Sequence, residues 1–197
     1  TARFNGPNRV ETNGEELEGK YIVIASGAEP QPLDFPGREL VSPSDVFLEL
    51  KDMPRRILFV GGGFISFEFA HVAARAGAEA VVLHRSARPL KAFDSDLTGI
   101  LVRAMRDMGV DVRLNTPIAG IIERNGSLEV RAGREGELSF KVDLVVHGAG
   151  RVPALGKLDL EKAGVAYTSR GVTVNEYMQS VSNPAVYAAG DAADLPP

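Results

Sequence analysis

The sequence predicts an α/β fold: a Rossmann-like domain with a parallel sheet, followed by an antiparallel β-meander. In the middle of the chain, short apolar runs alternate with segments of helical periodicity, which is typical of a parallel sheet covered by helices. Three consecutive glycines, Gly61, Gly62 and Gly63, stand between one apolar run and one helical segment. Further on, Asn125-Gly126 separates two segments of period two and predicts a hairpin.

The first predicted elements are short. Residues 21–27 form a β-branched apolar run closed by Ser-Gly, which predicts a strand. The next stretch holds three prolines and is predicted as a linker, because proline is excluded from helix interiors. A short helix then runs from Ser44, its predicted N-cap, to Leu50.

The central elements follow the alternating pattern, and the later ones change to period two. In chain order we predict a buried strand over 55–60, a helix from the glycines to Gly77, a strand over 80–84, a helix from Asp94 or Ser95 to Gly109, a strand over 110–114, the hairpin strands and a last strand over 142–147. This order gives a βαβαβ unit, an antiparallel meander and a final strand.

The composition argues against several classes of function. The 197 residues carry a formal net charge of −4 and a mean hydropathy of −0.03, which give no reason to expect nucleic acid as a partner. No apolar run reaches the roughly 18 residues that span a membrane, and no secretory leader is visible, so we expect no membrane partner and a cytoplasmic location. The chain has no Cys and its three histidines are far apart, so we expect no disulfide and no metal site.

The three glycines, called the glycine turn below, have the context of a dinucleotide-binding fingerprint. Gly61 permits the tight turn after the strand, and Gly63 lets a pyrophosphate approach the backbone at the start of the helix. The third fingerprint position is Ser66, a small residue that allows the helix to pack close to the strand. The alternative is a glycine-rich turn that binds no ligand.

Residues 84–91, called the basic loop below, collect positive charge where the second strand of this unit ends. Proteins that bind NAD place an acidic residue there, on the ribose 2′-OH, whereas a 2′-phosphate needs cations. No Asp or Glu occurs between residues 80 and 93. The loop therefore predicts NADP(H), with a 2′-phosphate held by four residues: His84 when protonated, Arg85, Arg88 and Lys91. The alternative is a solvated basic loop.

Five motifs together resemble one known family. They are IASGAEP, GGGFISFE, HRSARPLKAFD, GAGRVP and VYAAGDAAD, in that order along nearly the whole chain. The family is that of the FAD-dependent pyridine nucleotide-disulfide oxidoreductases, and the motifs are most similar to its glutathione reductase-like branch. The resemblance implies that residues 1–36 and 150–197 are pieces of a flavin domain and that residues 37–149 form the NAD(P)-binding domain.

The resemblance also implies the cofactor contacts. Those to the nicotinamide nucleotide are Gly61, Gly62, Gly63, Phe64, Ile65, Ser66, Glu68, His84, Arg85, Arg88, Lys91 and Gly150. Those to FAD are Ser26, Gly27, Arg151, Gly190 and Asp191. Phe64 matches an aromatic gate over the flavin, Glu68 an acidic residue near the nicotinamide, and Asp191 a ligand of the ribityl chain. The alternatives are that Phe64 packs on its helix face and that Asp191 caps a turn or helix.

The departures from the family concern catalysis. A first flavin fingerprint, the paired redox cysteines and the domain with the catalytic His-Glu pair are absent from these residues, so we predict no catalytic residue here. We read the chain as a fragment that is inactive alone and carries no stoichiometric FAD. The resemblance implies that the full-length protein is a homodimer that passes hydride from NADPH to FAD and on to a small-molecule disulfide.

Two other functions remain open at this stage. One is a related flavoprotein without the dithiol, such as an NAD(P)H oxidase or a ferredoxin reductase. The other is a non-enzymatic nucleotide-binding module. The sequence does not separate glutathione, mycothiol, lipoamide or mercuric ion as the substrate.

Overall fold

The computed structural model describes residues 2–195 and divides into two compact units. The larger unit comprises residues 30–150, and the smaller one comprises the chain on either side, up to Glu29 and from Arg151. In chain order the first elements are β1 (Ala2–Gly6), β2 (Arg9–Thr12), β3 (Glu15–Glu18), β4 (Ile22–Ile24), β5 (Ala28–Pro30), α1 (Ser44–Leu48), β6 (Arg56–Val60), α2 (Phe64–Arg75), β7 (Glu79–Leu83) and α3 (Ser95–Asp107). The remaining elements are β8 (Asp111–Arg113), β9 (Ile118–Arg124), β10 (Ser127–Ala132), β11 (Leu138–Val142), β12 (Leu144–His147), β13 (Arg151–Pro153), β14 (Tyr167–Thr168), β15 (Gly171–Val172) and β16 (Val186–Ala188).

A four-stranded parallel sheet forms the centre of the larger unit, in the order β12-β6-β7-β8. Helices α2 and α3 connect its consecutive strands, which confirms the predicted βαβαβ order. The central strand β6 is buried on both faces, because parallel sheets are covered on both sides. Ile57 and Phe59 pack with the helices on one face, and Leu58 packs with the meander on the other.

The antiparallel meander covers the second face of the sheet. Strands β9, β10 and β11 pair in sequence, and Ile121, Val130 and Val142 are their buried residues on that side. Asn125 and Gly126 both have positive φ values, 52° and 69°. A two-residue turn with both residues in the left-handed region matches the twist of a hairpin, so this prediction is confirmed.

The predicted last strand over 142–147 is two strands in the structure. Asp143 interrupts it, because its carboxylate accepts hydrogen bonds from the Arg56 backbone N–H at 3.0 Å and from the Arg56 guanidinium at 2.5 Å. This pairing lowers the pKa of Asp143. Residues before Asp143 belong to the meander, and residues after it join the parallel sheet beside β6.

The observed N-cap of α3 agrees with the sequence prediction, whereas the observed N-cap of α1 differs from it. Asp94 caps α3, accepting from the backbone N–H groups of Asp96 and Leu97 at 2.9 and 3.1 Å, as its position predicts. Ser44 was expected to cap α1, but Pro43 occupies the cap position without a side-chain hydrogen bond. The Ser44 side chain is buried instead, because the first turn of α1 packs inward.

The proline-rich segment before α1 is more than a linker. Leu33 and Phe35 pack, partly buried, against the meander side of the core. The Pro36 carbonyl accepts a hydrogen bond from the Ile121 backbone N–H at 2.9 Å, which ties the segment to β9. Contacts therefore place residues 30–36 in the larger unit, and the assignment of the units to particular cofactors stays a prediction.

The smaller unit is built mainly from short β-pairs. Strands β1, β2 and β3 form an antiparallel sheet, and β4 pairs in parallel with β16. The strand predicted over 21–27 is shorter in the structure, since only β4 is paired there. Phe4, Ile24 and Val186 belong to its buried core. Among the described residues, no helix is long and apolar enough to cross a membrane.

Replacing Gly61 by alanine should strongly destabilise the larger unit. Gly61 has a φ of 111°, and a Cβ on it would lie 2.4 Å from the Gly148 carbonyl oxygen. Backbone strain and the clash act together, so we expect Gly61→Ala to lower the free energy of unfolding by about 3 kcal/mol or more. Urea denaturation followed by circular dichroism measures this loss.

Gly77→Ala provides the matched control. Gly77 also has a positive φ, 89°, but no atom lies within 4 Å of the added Cβ. Only the backbone strain remains, so we expect a loss of about 1 kcal/mol. Equal losses in the two variants would show that the approach of Gly61 to Gly148 is not tight.

Candidate functional site

A cleft of about 560 Å³ opens in the larger unit where strands β6 and β7 end. Ligands of open parallel sheets bind at this edge, beyond the carboxyl ends of the strands. The cleft is lined by residues 31–35, Val60, the glycine turn, Phe64, residues 83–86, residues 90–93, residues 116–118, Ala149 and Gly150. Both features singled out from the sequence, the glycine turn and the basic loop, therefore meet at one cavity.

A Cβ added to each glycine of the glycine turn would meet a different neighbour. Gly61 donates its N–H to the Leu83 carbonyl at 2.8 Å and cannot carry a Cβ. A Cβ on Gly62 would lie 2.6 Å from the ring of His84. At Gly63 the nearest protein atom would be the Gly148 carbonyl oxygen at 3.3 Å, a tighter contact than most Cβ atoms make but much less severe than at the other two glycines. Gly63 also lines the cleft, so its backbone is open to a ligand on that side.

The start of α2 lies at the floor of this cleft. Gly63 is its N-cap, and neither a capping side chain nor an acidic residue occupies the first turn. The first backbone N–H groups of a helix have no partner within the helix, and the helix dipole adds partial positive charge there. This end of a 12-residue helix suits a phosphate group.

Two cations of the basic loop are available to a ligand. Arg85 and Lys91 both line the cleft and are exposed. Within residues 2–195, neither forms a salt bridge. The guanidinium of Arg88 lies outside the lining and donates to the carbonyl of Phe93. The structure thus separates Arg88, which binds within the loop region, from the two cations that face the cleft.

His84, the fourth residue of the predicted 2′-phosphate site, is hydrogen-bonded within the basic loop. Partial burial lowers its pKa below the usual value of 6.5, and the neighbouring charges of Lys91 and Arg85 lower it further. Its Nε2 donates to the carbonyl of Arg88 at 3.0 Å, with Ser86 Oγ as a second acceptor at 2.8 Å. A carbonyl oxygen only accepts, so Nε2 carries a proton in this contact. The surroundings therefore disfavour the charged form of His84, and its ring binds inside the loop.

The remaining predicted residues of α2 have distinct surroundings. Phe64 is 57% exposed and lines the cleft, so packing of its ring in the core is excluded. Ser66 is fully buried, with its hydroxyl 3.5 Å from the Gly148 carbonyl, and acts in helix–sheet packing. Ile65 is half-buried and Glu68 is exposed, and neither lines the cleft. Glu68 lies one helical turn after Phe64.

Two parts of the cleft lining were not predicted from the sequence. Residues 31–35 and 116–118 line it, although no glycine or charge pattern marks them. The Gln31 N–H donates to the carbonyl of Gly150 at 3.0 Å, and His147 Nε2 donates to the Gln31 carbonyl at 2.8 Å. Gly150, which was predicted to contact the nucleotide, lines the cleft and has a φ of 113°.

The residues assigned to FAD lie in the smaller unit. Ser26 and Gly27 follow β4, and Gly190 and Asp191 follow β16. Because β4 and β16 are parallel neighbours, these two pairs lie at the same edge of the strands. In the described part of the chain, the exposed Asp191 carboxylate has no hydrogen-bond partner and caps no helix.

Arg151, the fifth residue assigned to FAD, starts strand β13. Its guanidinium donates to the carbonyl of Ala28 at 2.5 Å, and the residue is exposed. Across residues 2–195, no three side chains of His, Cys, Asp or Glu form a group that could hold a metal ion.

The parallel sheet, the glycine turn at the start of α2 and the cleft beside it have the arrangement of a Rossmann-type domain, the type that binds dinucleotides at this edge of its sheet. The whole chain, residues 1–197, matches the family described as pyridine nucleotide-disulphide oxidoreductase. The chain belongs to this family, whose members use FAD and NAD(P)H. The resemblance seen in the sequence is thereby confirmed.

Similarity to individual proteins agrees with this family assignment. The chain is 34% identical to a glutathione reductase of Burkholderia cepacia, over 98% of this chain and 42% of that protein. It superimposes with a TM-score of 0.87 on the HOCl-induced flavoprotein disulfide reductase RclA from Escherichia coli, at 28% identity, over 97% of this chain and 44% of that one. The chain therefore spans less than half the length of these relatives.

A third relative is an oxidase. The chain superimposes with a TM-score of 0.81 on an engineered water-forming NADPH oxidase bound to NADPH, at 26% identity, over 98% of this chain and 45% of that one. A disulfide reductase and an oxidase thus both resemble this chain in fold.

Replacing Gly63 by alanine should weaken binding of both nicotinamide nucleotides. The backbone φ of −86° accepts alanine, and the Cβ would lie 3.3 Å from the Gly148 carbonyl oxygen, so a small shift of that carbonyl accommodates it. The methyl group would stand against a bound pyrophosphate, so we expect affinities for NADPH and NADH to fall together by about tenfold or more. Calorimetric titration with each nucleotide measures the loss.

Gly99→Ala serves as the control for this measurement. Gly99 lies within α3, and a Cβ there meets only the end of the Arg103 side chain, at 3.7 Å. We expect both affinities to stay unchanged in this variant. Unchanged affinities in Gly63→Ala as well would place the pyrophosphate elsewhere.

Proposed function

We propose that this chain is the NADPH-binding part of a flavoprotein disulfide reductase. The observation that carries the proposal is the position of two exposed cations, Arg85 and Lys91, in the cleft that also contains the glycine turn. No acidic residue follows β7 before Asp94, so nothing at this strand end is suited to an unphosphorylated ribose 2′-OH. Asp34 also lines the cleft, but it belongs to the segment before α1.

The cleft fits the parts of the proposed nucleotide. The glycine turn and the unpaired N–H groups of α2 would hold the pyrophosphate. Arg85 would meet the 2′-phosphate with two parallel hydrogen bonds, and Lys91 would add a point charge. Arg88 lies outside the cleft lining and has a backbone partner, so we assign it a smaller share of binding.

The engineered NADPH oxidase offers independent support. Its substitutions remove an Asp, place Arg and Ser at the next two positions, and place a further Arg five positions after the Ser. This chain carries Arg85 and Ser86 side by side and Lys91 five positions after Ser86. The residue before Arg85 is His84, which is not acidic. The same spacing of basic groups thus accompanies bound NADPH in a protein of the same fold.

When bound, the nicotinamide supplies a hydride, which a flavin accepts before the electrons pass to a disulfide. The chain contributes orientation and electrostatics to this chemistry. The exposed ring of Phe64 would pack over the nicotinamide end of the nucleotide and exclude water there. Glu68, one turn after Phe64 on α2, lies outside the cleft lining, and its assignment to the carboxamide end follows the resemblance to the family.

The other parts of the activity concern a protein longer than this chain. We propose that Ser26, Gly27, Arg151, Gly190 and Asp191 contact FAD there. A small-molecule disulfide as the substrate, a homodimer and a cytoplasmic location belong to the same proposal. The ends of β4 and β16 support the FAD assignment, because they bring two of the predicted turns together.

A water-forming NADPH oxidase is the second candidate function. The likeness to the engineered oxidase, with a TM-score of 0.81, favours it. The two functions differ in the acceptor of the electrons. NADPH consumption by the full-length protein, measured with oxygen alone and with added disulfides under argon, distinguishes them.

The chain should bind NADPH more tightly than NADH, and Arg85 should be the main reason. Hydrogen bonds to charged groups contribute about 1.5–3 kcal/mol each, so we expect Arg85→Ala to weaken NADPH binding roughly ten- to hundredfold. NADH has no phosphate at this position, so its affinity should stay nearly unchanged. Calorimetric titration of both nucleotides at one low salt concentration measures the difference.

Arg88→Ala is the matched control, because it removes the same charge from the same loop. Arg88 does not line the cleft, and its guanidinium is already bonded to the Phe93 carbonyl, so a clearly smaller loss of NADPH affinity is expected. Equal affinities of the unsubstituted chain for NADPH and NADH would overturn the proposal. Equal loss of both nucleotides in Arg85→Ala would do the same.

A further inference from the structure

His84 lies between the two parts of the cleft that would hold phosphates. Its ring contacts the glycine turn, since a Cβ on Gly62 would lie 2.6 Å from the ring atoms Cγ and Nδ1. Its Nε2 reaches the other way and donates to the carbonyl of Arg88, in the middle of the basic loop. One side chain therefore contacts both the turn and the loop.

The backbone of His84 is itself fixed by the neighbouring strand. Its N–H donates to the Arg113 carbonyl at 2.9 Å, and its carbonyl accepts from the Thr116 N–H at 2.8 Å. These bonds continue the parallel pairing of β7 with β8 beyond the end of both strands. The ring thus projects from a rigid position, which is needed for a side chain that holds a loop in place.

The far end of the basic loop also contacts Gly62. The Leu90 N–H donates to the Gly62 carbonyl at 2.8 Å, and Leu90 has a φ of 48°, in the left-handed region. A strained residue persists only where its surroundings fix it. Lys91 follows Leu90 directly. The contacts at Gly62 and Arg88 therefore fix the backbone positions from which the Arg85 and Lys91 side chains extend.

We propose that His84 is a positioning residue that holds the basic loop against the glycine turn and so fixes the spacing between the pyrophosphate and 2′-phosphate sites. The consequence for nucleotide choice rests on the function proposed above. Without the hydrogen bond from His84, the loop would be ordered only when the phosphate binds, and the affinity for NADPH would fall. NADH does not use the loop cations and would be affected less.

The test uses three substitutions in the 197-residue chain. In His84→Gln, the amide nitrogen reaches about as far as Nε2 and can still donate to Arg88. In His84→Asn, the amide is too short, and in His84→Ala no donor remains. We expect His84→Ala and His84→Asn to weaken NADPH binding about five- to tenfold, with His84→Gln close to the unsubstituted chain.

Amide hydrogen exchange in the nucleotide-free chain gives a second readout that does not depend on the cofactor. We expect the Leu90 amide, which is bonded to Gly62, to exchange faster in His84→Ala and His84→Asn but not in His84→Gln. Gly62→Ala should also speed this exchange, because its methyl group displaces the His84 ring. In a His84→Ala background, the same methyl group should have little further effect on exchange.

The outcomes separate this proposal from the proposed function. Unchanged exchange at Leu90 in His84→Ala, or His84→Gln behaving like His84→Ala, would overturn the positioning role. Faster exchange with unchanged NADPH affinity, in a chain that prefers NADPH, would overturn its link to binding. If the unsubstituted chain shows no preference, the proposed NADPH function is wrong, and the exchange data still decide whether His84 holds the loop.

Discussion

The close approach of α2 to the residues that follow β12 is the contact on which the larger unit depends. A Cβ on Gly148 would lie 2.1 Å from Ser66 Oγ, and a Cβ on Gly61 would lie 2.4 Å from the Gly148 carbonyl oxygen. Because Gly61 and Gly148 carry no side chain, the start of α2 can lie directly against the sheet edge. The unpaired N–H groups of the helix and the basic loop after β7 thus open onto one cleft.

Most of this architecture could be predicted from the sequence, since it follows from periodicity and from glycine. The buried strand β6, the amphipathic helix α3 and the Asn125-Gly126 hairpin each have a local signal that their surroundings reinforce. The division of the last strand at Asp143 had no such signal. It depends on Arg56, 87 residues away in the chain, which pairs with Asp143 only after the sheet has formed.

The candidate site was predictable in its charges but not in its hydrogen bonds. The position of Arg85 after the second strand is enough to place it at the cleft. The lowered pKa of His84 and the backbone partner of Arg88 depend on the path of the loop, which sequence spacing does not describe. Residues 31–35 have only the sequence signal of a linker for a similar reason, because their place in the cleft comes from tertiary contacts of this segment with β9 and with Gly150.

The two parts of the cleft are stabilised by different interactions, and this difference bears on nucleotide choice. Steric exclusion fixes the glycine turn, whereas hydrogen bonds from His84 and Leu90 hold the basic loop. Arg85 and Lys91 take part in neither set of contacts, so their backbone is ordered while their charges stay available. A phosphate would meet a loop that folding has already ordered, which lowers the entropy cost of binding. Changes at these two side chains would alter the charge of the loop without disturbing the turn, so the same fold can serve nucleotides with and without a 2′-phosphate.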